Sequence, residues 1–182
     1  MLKSKIRNKL LKTRKNSNKK NIQIKFEKIY KLLKKITNLR DKIVGGYYPV
    51  NYEIDDLDIL RRLEKKKITI SLPSIKKNYK MNFIKCSLNA PFVLNQYGIP
   101  EPSSGTIVNP DILLVPLVAF DKNLNRLGYG AGYYDRLIES LKKKKKIITI
   151  GLAFDFQESN SIPTSKYDQK LDYIVTNKNI LK

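Results

Sequence analysis

The chain has 182 residues, with 37 lysines and arginines against 16 acidic residues, a net charge of +21, one cysteine and no histidine. Without histidine the Ser-His and Cys-His nucleophile schemes and histidine-rich zinc sites are excluded, and a lone cysteine cannot close an internal disulfide. A hydrophobic content of 41% suffices for the core of one compact α/β domain and argues against general disorder.

The cation surplus attracts polyanions. It is mostly lysine, in a chain also rich in asparagine and isoleucine. These three residues share AT-rich codons, so drift toward lysine at solvated positions explains the charge ahead of a dedicated nucleic-acid role. The basic N-terminus lacks the apolar stretch of a signal peptide, and no segment approaches a membrane span. With a single thiol, Cys86, these features lead to the expectation of a cytoplasmic protein without membrane contact.

In chain order, residues 2–15 are expected to form a basic helix with Leu2, Ile6, Leu10 and Leu11 on one side, before a break at 16–21. Phe26, Ile29, Tyr30, Leu33 and Ile36 mark a second helix. Residues 43–48 read as a strand ending in a loop at Pro49. Residues 55–63 read as a helix capped by Asp55 or Asp56. Ile68 to Leu72 reads as a strand stopped by Pro73. Residues 80–87 are expected to be a strand with Met81 and Phe83 alternating. The span 88–110 holds Pro91, Pro100, Pro102 and Pro110 and is expected to be mostly loop. Ile112 to Leu117 is a continuous apolar run, as in a strand buried on both faces. Tyr133 to Leu141 reads as a helix. The lysine run 142–146 then reads as a solvated loop where cations suit the helix dipole. Ile147 to Leu152 and Tyr173 to Val175 complete the strands.

This alternation implies a three-layer α/β/α domain with a mostly parallel, doubly wound, Rossmann-like sheet. Residues 1–40 would form an N-terminal helical segment and 41–182 the sheet core of a single domain. Ligands of such sheets bind beyond the carboxyl ends of the strands. The loops after Tyr48, Leu72, Leu117 and Leu152 are therefore where chemistry is expected.

The densest signal is Asn125-Arg126-Leu127-Gly128-Tyr129-Gly130-Ala131-Gly132-Tyr133-Tyr134-Asp135-Arg136. Glycines at alternate positions permit positive φ and let backbone amides approach an anion. The helix that follows adds partial positive charge at its N-terminus, and Arg126 can fork onto phosphate oxygens. The spacing is neither the dinucleotide fingerprint nor the P-loop, and by itself a glycine-rich turn without a ligand fits it equally well.

Taken together, Val115-Pro116-Leu117-Val118-Ala119-Phe120-Asp121 and the glycine segment through Asp135 resemble the signature of the 5-formyltetrahydrofolate cyclo-ligase family. The resemblance extends in order through Lys3 and Arg7, Tyr52-Glu53-Ile54-Asp55, Leu72-Pro73, Met81-Asn82-Phe83 and Gly98-Ile99-Pro100-Glu101-Pro102. It continues in Gly151-Leu152-Ala153-Phe154, Ile162-Pro163 and Tyr167-Asp168. It implies an enzyme that uses ATP and Mg²⁺ to close 5-formyltetrahydrofolate to 5,10-methenyltetrahydrofolate. The +21 charge would attract a polyglutamate tail on that substrate, and a monomer is expected.

Carried over by position, the resemblance makes Lys3, Arg7 and Arg126 phosphate-binding cations. Leu127, Gly128, Tyr129, Gly130, Ala131, Gly132 and Tyr133 become the ATP loop. Glu53, Met81, Phe83, Tyr133 and Tyr134 become folate contacts, Arg126 and Tyr134 the catalytic pair, and Asp135 and Asp168 the Mg²⁺ carboxylates.

Three positions depart from the family's pattern. Tyr167 stands where histidine is common and throws weight on Asp168. Asp56 stands where threonine often follows the Glu-x-Asp element. Ala131 stands where glycine or a cation is common.

Read without the resemblance, Lys3 and Arg7 are solvated cations, Asp135 charges a first helical turn, and Glu53 and Asp168 are loop residues. Met81 and Phe83 are then core on one strand face. The rival from another class is a basic RNA- or DNA-binding module, against which stands the lack of any RRM, KH, OB or zinc signature.

Overall fold

The computed structural model describes residues 2–17 and 22–182. The first half contains α1 (Lys3–Ser17), α2 (Phe26–Ile36), β1 (Ile43–Gly45), α3 (Leu57–Lys65), β2 (Thr69–Lys76), β3 (Lys80–Lys85), β4 (Phe92–Leu94) and β5 (Pro100–Pro102). The second contains β6 (Ile107–Val108), β7 (Ile112–Pro116), β8 (Ala119–Phe120), β9 (Arg126–Leu127), α4 (Tyr133–Lys144), β10 (Ile148–Ala153), β11 (Tyr173–Thr176) and β12 (Ile180–Leu181).

Eight strands form one mixed sheet in the order β12-β11-β10-β7-β1-β2-β3-β6. The five central strands, from β11 to β2, run parallel, and the outer strands β12, β3 and β6 are antiparallel. The expected α/β fold with a mostly parallel sheet therefore holds, with antiparallel edges.

Strand β7 shows why. Its Ile112 and Leu114 join one core with Ile29 and Leu33 of α2 and Ile59, Leu60 and Leu63 of α3. Its Leu113 and Val115 join the opposite core with Ile138 and Leu141 of α4. Successive side chains alternate between faces, so a strand covered on both sides must be apolar throughout.

Strand order reverses at β1. The chain steps from β1 to β2 on one side, then crosses back to place β7 on the other. Such a reversal opens a crevice outside the carboxyl ends of the two strands. Helix α1 lies across this end. Ile6 and Leu10 are buried against Val118, Ala119, Leu127 and Ile162. Burial of two such side chains contributes roughly 3–6 kcal/mol as an upper bound, which holds the helix over the loop that follows β7.

Several expectations need correction. Leu2 is exposed, so the stripe of α1 begins at Ile6, and Arg14 continues it at only 2% exposure. Helix α1 runs through Ser17; the remainder of the expected break, 18–21, lies outside the described residues. Pro73 does not stop β2, which continues to Lys76 paired with β3. The ladder to β1 ends at Ser71, so beyond it a proline is tolerated.

The span 88–110 is not mostly loop, because it folds the β4–β5 hairpin and β6. Glu101 anchors that hairpin by accepting from the Ser74 hydroxyl and the Ile75 amide. Helix α4 continues through Lys144, and Lys145 donates to the Asn109 carbonyl and to Asp111, so the lysine run is not a free loop. Among the described residues no helix is long and apolar enough to cross a membrane.

Candidate active site

A cavity of about 1070 Å³ opens where the strand order reverses. Its wall combines the start of α1, the loop after β1, the β2–β3 and β4–β5 hairpins, the whole segment 126–136, and Tyr167 and Asp168. The volume is at the upper end of small-molecule sites.

Segment 126–136 turns sharply between β9 and α4. Gly130 (φ +113°) and Gly132 (φ +71°) hold conformations that L side chains rarely adopt. A Cβ on Gly130 would lie 3.4 Å from the Arg7 guanidinium, at van der Waals contact. No backbone amide from Gly128 to Gly132 donates a hydrogen bond among the described residues. Unpaired amides at a helix N-terminus form a cradle for an anion.

Upstream, Asp121 accepts from the amides of Asn123 and Asn125, the Asn125 side chain and the Ile162 amide. Burial alone would raise its pKa, but these donors hold it below the usual carboxylate range. They fix the β8–β9 hairpin that delivers Arg126.

Cations and carboxylates pair around the cradle. Arg126 donates to Asp135 Oδ1 at 2.8 Å, and its guanidinium lies 5.7 Å from the Tyr134 ring centroid. Asp135 Oδ1 also accepts from the Gln169 amide. Lys3 Nζ donates to Asp168 Oδ2 at 2.6 Å, and Arg7 Nε donates to the Gly128 carbonyl. Burial works against ionisation of Asp168, but Lys3 and the Ser165 amide outweigh it and lower its pKa.

Under β1 the chemistry differs. Glu53 Oε2 accepts from the Val50 amide at 2.8 Å, and its buried Oε1 has no partner among the described residues. Burial pushes the Glu53 carboxyl up to about 7, against the Val50 amide, the Arg14 charge and the Tyr129 hydroxyl, which favour the anion. The Tyr134 hydroxyl is likewise buried and unpaired, and burial raises its pKa well above the ordinary phenol value.

The cavity thus gathers Lys3, Arg7, Glu53, Met81, Arg126, Leu127, Gly128, Tyr129, Gly130, Ala131, Gly132, Tyr133, Tyr134, Asp135 and Asp168. Phe83 is the exception. It lies two residues deeper along β3 at 1% exposure, packed where a Gly45 Cβ would meet its ring at 2.6 Å. It is a core residue and does not reach the cavity.

A family profile described as the 5-formyltetrahydrofolate cyclo-ligase family matches residues 1–177. The chain belongs to this family. A 5-formyltetrahydrofolate cyclo-ligase of Mycoplasma genitalium is 34% identical over 146 residues, covering 78% of this chain and 76% of the relative. That of Haemophilus influenzae is 33% identical over 138 residues, covering 71% and 73%. The NMR structure of Aquifex aeolicus 5,10-methenyltetrahydrofolate synthetase superposes with a TM-score of 0.81 at 32% identity, covering all of this chain and 93% of the other.

Departures from the cyclo-ligase pattern take physical form. Tyr167 is 68% exposed at the rim, with Lys166 over its ring. Asp56 is fully buried at the N-cap position of α3, but its side chain makes no cap hydrogen bond. Its Oδ2 accepts from the Tyr47 amide, and its Oδ1 is unpaired. Burial raises its pKa well above the usual range. Asp55 instead accepts from the Leu57 amide at the start of α3.

Sequence reasoning gave no role to Arg14, Tyr97, Tyr79 or Arg136. The Tyr133 ring meets those of Tyr97 and Tyr79, and Arg136 lies over Tyr79 and Tyr133. Arg136 stands inside the glycine segment, and Arg14 is a cation placed four residues after Leu10 in an apolar stripe.

Proposed function

We propose that the protein closes 5-formyltetrahydrofolate to 5,10-methenyltetrahydrofolate at the expense of ATP, releasing ADP and phosphate. One observation carries this reading. One cavity is lined both by unpaired amides and cations on the glycine loop and by a buried, weakly acidic carboxyl on the loop after β1. The first group suits a polyphosphate and the second suits the amino groups of a pterin.

The formyl oxygen is a poor leaving group. Its phosphorylation by the γ-phosphoryl of ATP creates a phosphate leaving group and an electrophilic carbon. Folate N10 then attacks that carbon, the C–O bond breaks, phosphate departs with the former formyl oxygen, and N10 loses its proton. In such transfers the protein positions the groups and neutralises charge.

In this reading the amides of 128–132, with Lys3, Arg7 and Arg126, cradle the triphosphate. Glu53 orients the pterin, Met81 and the Tyr133 and Tyr134 rings pack against it, and Tyr134 stands beside Arg126 where the two substrates meet. Leu127, buried under α1, holds the loop in place.

Asp135 and Asp168 fit a Mg²⁺ ion. Mg²⁺ takes few protein oxygens when phosphate supplies the rest; no group of three or more acidic, His or Cys ligands lies together among the described residues. Both carboxylates are now held by cations. Bound phosphate would draw Arg126 and Lys3 away and leave the carboxylates to the metal, which would neutralise charge on the transferred group.

A reducing cytoplasmic setting suits this chemistry; burial pushes the Cys86 thiol up to about 11, so it stays a quiet thiol. The direct test follows methenyltetrahydrofolate absorbance with 5-formyltetrahydrofolate and MgATP. Growth that requires ATP is expected, and no product at saturating substrates would sink the reading.

A further inference from the structure

The buried guanidinium of Arg14 is not explained by packing. It continues the stripe Ile6–Leu10 at 2% exposure, a position where leucine would suffice. A charge withdrawn from water persists only where its donors are satisfied. Arg14 Nε donates to the Asn51 carbonyl at 2.9 Å, NH1 to the Leu117 carbonyl at 3.1 Å, and NH2 to the Tyr129 hydroxyl.

These acceptors lie on the loop after β1, the loop after β7 and the glycine loop. The first two flank the crevice where strand order reverses, and the third forms its anion cradle. Asn51 sits two residues before Glu53. Arg14 therefore joins the backbone that carries Glu53 to the loop that carries the unpaired amides.

We infer that Arg14 is a positioning residue, which fixes the spacing between the Glu53 loop and the glycine loop so that two substrates can meet in one cavity. The inference rests on the proposed cyclisation. It adds a residue that touches neither substrate but sets the distance between their sites. The planar fork matters as well as the charge, because three acceptors in three directions match a guanidinium and exceed what one ammonium can reach.

The same contact supplies a readout that simple packing would not move. Glu53 is faced by Arg14 from α1 and Tyr129 from the glycine loop. Its charge is also felt by Tyr47 in the loop after β1, Asp56 before α3 and Tyr134 of α4. Arg14 is the cation in this group that favours the Glu53 anion.

Arg14→Gln, Arg14→Lys and Tyr129→Phe are compared with wild type in three measurements: thermal unfolding, cyclisation kinetics, and NMR titration of the Glu53 carboxyl carbon. Arg14→Gln should lower kcat/KM on the order of 100-fold, as expected for misplaced reacting groups, and move the Glu53 titration to higher pH. Arg14→Lys should restore the titration but not the kinetics. Tyr129→Phe, which removes one of three acceptors and the hydroxyl that favours the Glu53 anion, should lose less activity than either and also move the Glu53 titration to higher pH.

Full kinetic rescue by lysine, or an unmoved Glu53 titration in Arg14→Gln, would overturn the inference. Should the wild-type protein make no product, the proposed function falls, and the Glu53 titration alone decides the role of Arg14. If Arg14→Gln does not fold, Arg14→Lys and Tyr129→Phe carry the same comparison.

Discussion

The glycine loop and the loop after β1 hold charge in opposite ways. At the glycine loop each acid is matched to a cation: Asp135 to Arg126 and Asp168 to Lys3. Under β1, Glu53 of the cavity wall and Asp56, which lies outside it, are buried and incompletely bonded, with Glu53 Oε1 and Asp56 Oδ1 unpaired among the described residues. Paired groups at a cavity surface respond to competing anions and metal ions. Buried unpaired acids respond to protons. The glycine loop should therefore answer to phosphate and Mg²⁺, and the loop after β1 to pH.

The largest expected effect tests the glycine loop. Arg126→Ala removes the proposed phosphate-binding cation and leaves Asp135 without its ion-pair partner, so kcat should fall roughly 10²–10³-fold. A loss below tenfold in single-turnover measurements would remove Arg126 from the phosphoryl-transfer step.

The second test separates the two loops by pH. A raised pKa means that the native state holds the Glu53 proton more tightly than the unfolded chain does. This group's contribution to stability is complete below about 4.5 and is lost as pH rises through about 7. Glu53→Gln carries no such proton. Its melting temperature should gain on wild type between pH 5 and 8, while kcat/KM for the folate falls and its KM for ATP holds. An equal gain at every pH would place the titration elsewhere.

The smallest effect on turnover is expected at Asp56. Asp56→Asn keeps an acceptor for the Tyr47 amide without the cost of a buried charge. A buried polar group in poor company costs about 1–3 kcal/mol, and each kcal/mol is worth roughly 2–4 °C in a chain of this size. Thermal scans should show a gain of several degrees at pH 8 that disappears near pH 4, with turnover close to wild type. A loss of stability at pH 8 would mean that Asp56 is satisfied as an anion.

How far the sequence foretold each region follows from the same contrast. The sheet was legible because Ile112–Pro116 and Ile148–Ala153 must be apolar on both faces, and the glycine loop because Gly130 and Gly132 need backbone freedom. Pro73 misled because its tolerance depends on where a neighbouring strand ends. Met81 and Phe83 share a strand face, yet only Met81 reaches the cavity, a difference of depth that alternation does not encode. Arg14 was hidden among 37 cations. Its place four residues after Leu10 hints at burial, but the acceptors that satisfy it come from segments distant in sequence, which the stripe does not encode.

The central claim is that the cavity brings the terminal phosphoryl group of ATP onto the formyl oxygen of the folate. The most direct measurement supplies 5-formyltetrahydrofolate with ¹⁸O in the formyl group, with unlabelled MgATP and water, and weighs the inorganic phosphate released. One labelled oxygen per phosphate, formed in step with methenyltetrahydrofolate, is the expected result. Product formed with unlabelled phosphate would contradict phosphorylation of the formyl oxygen.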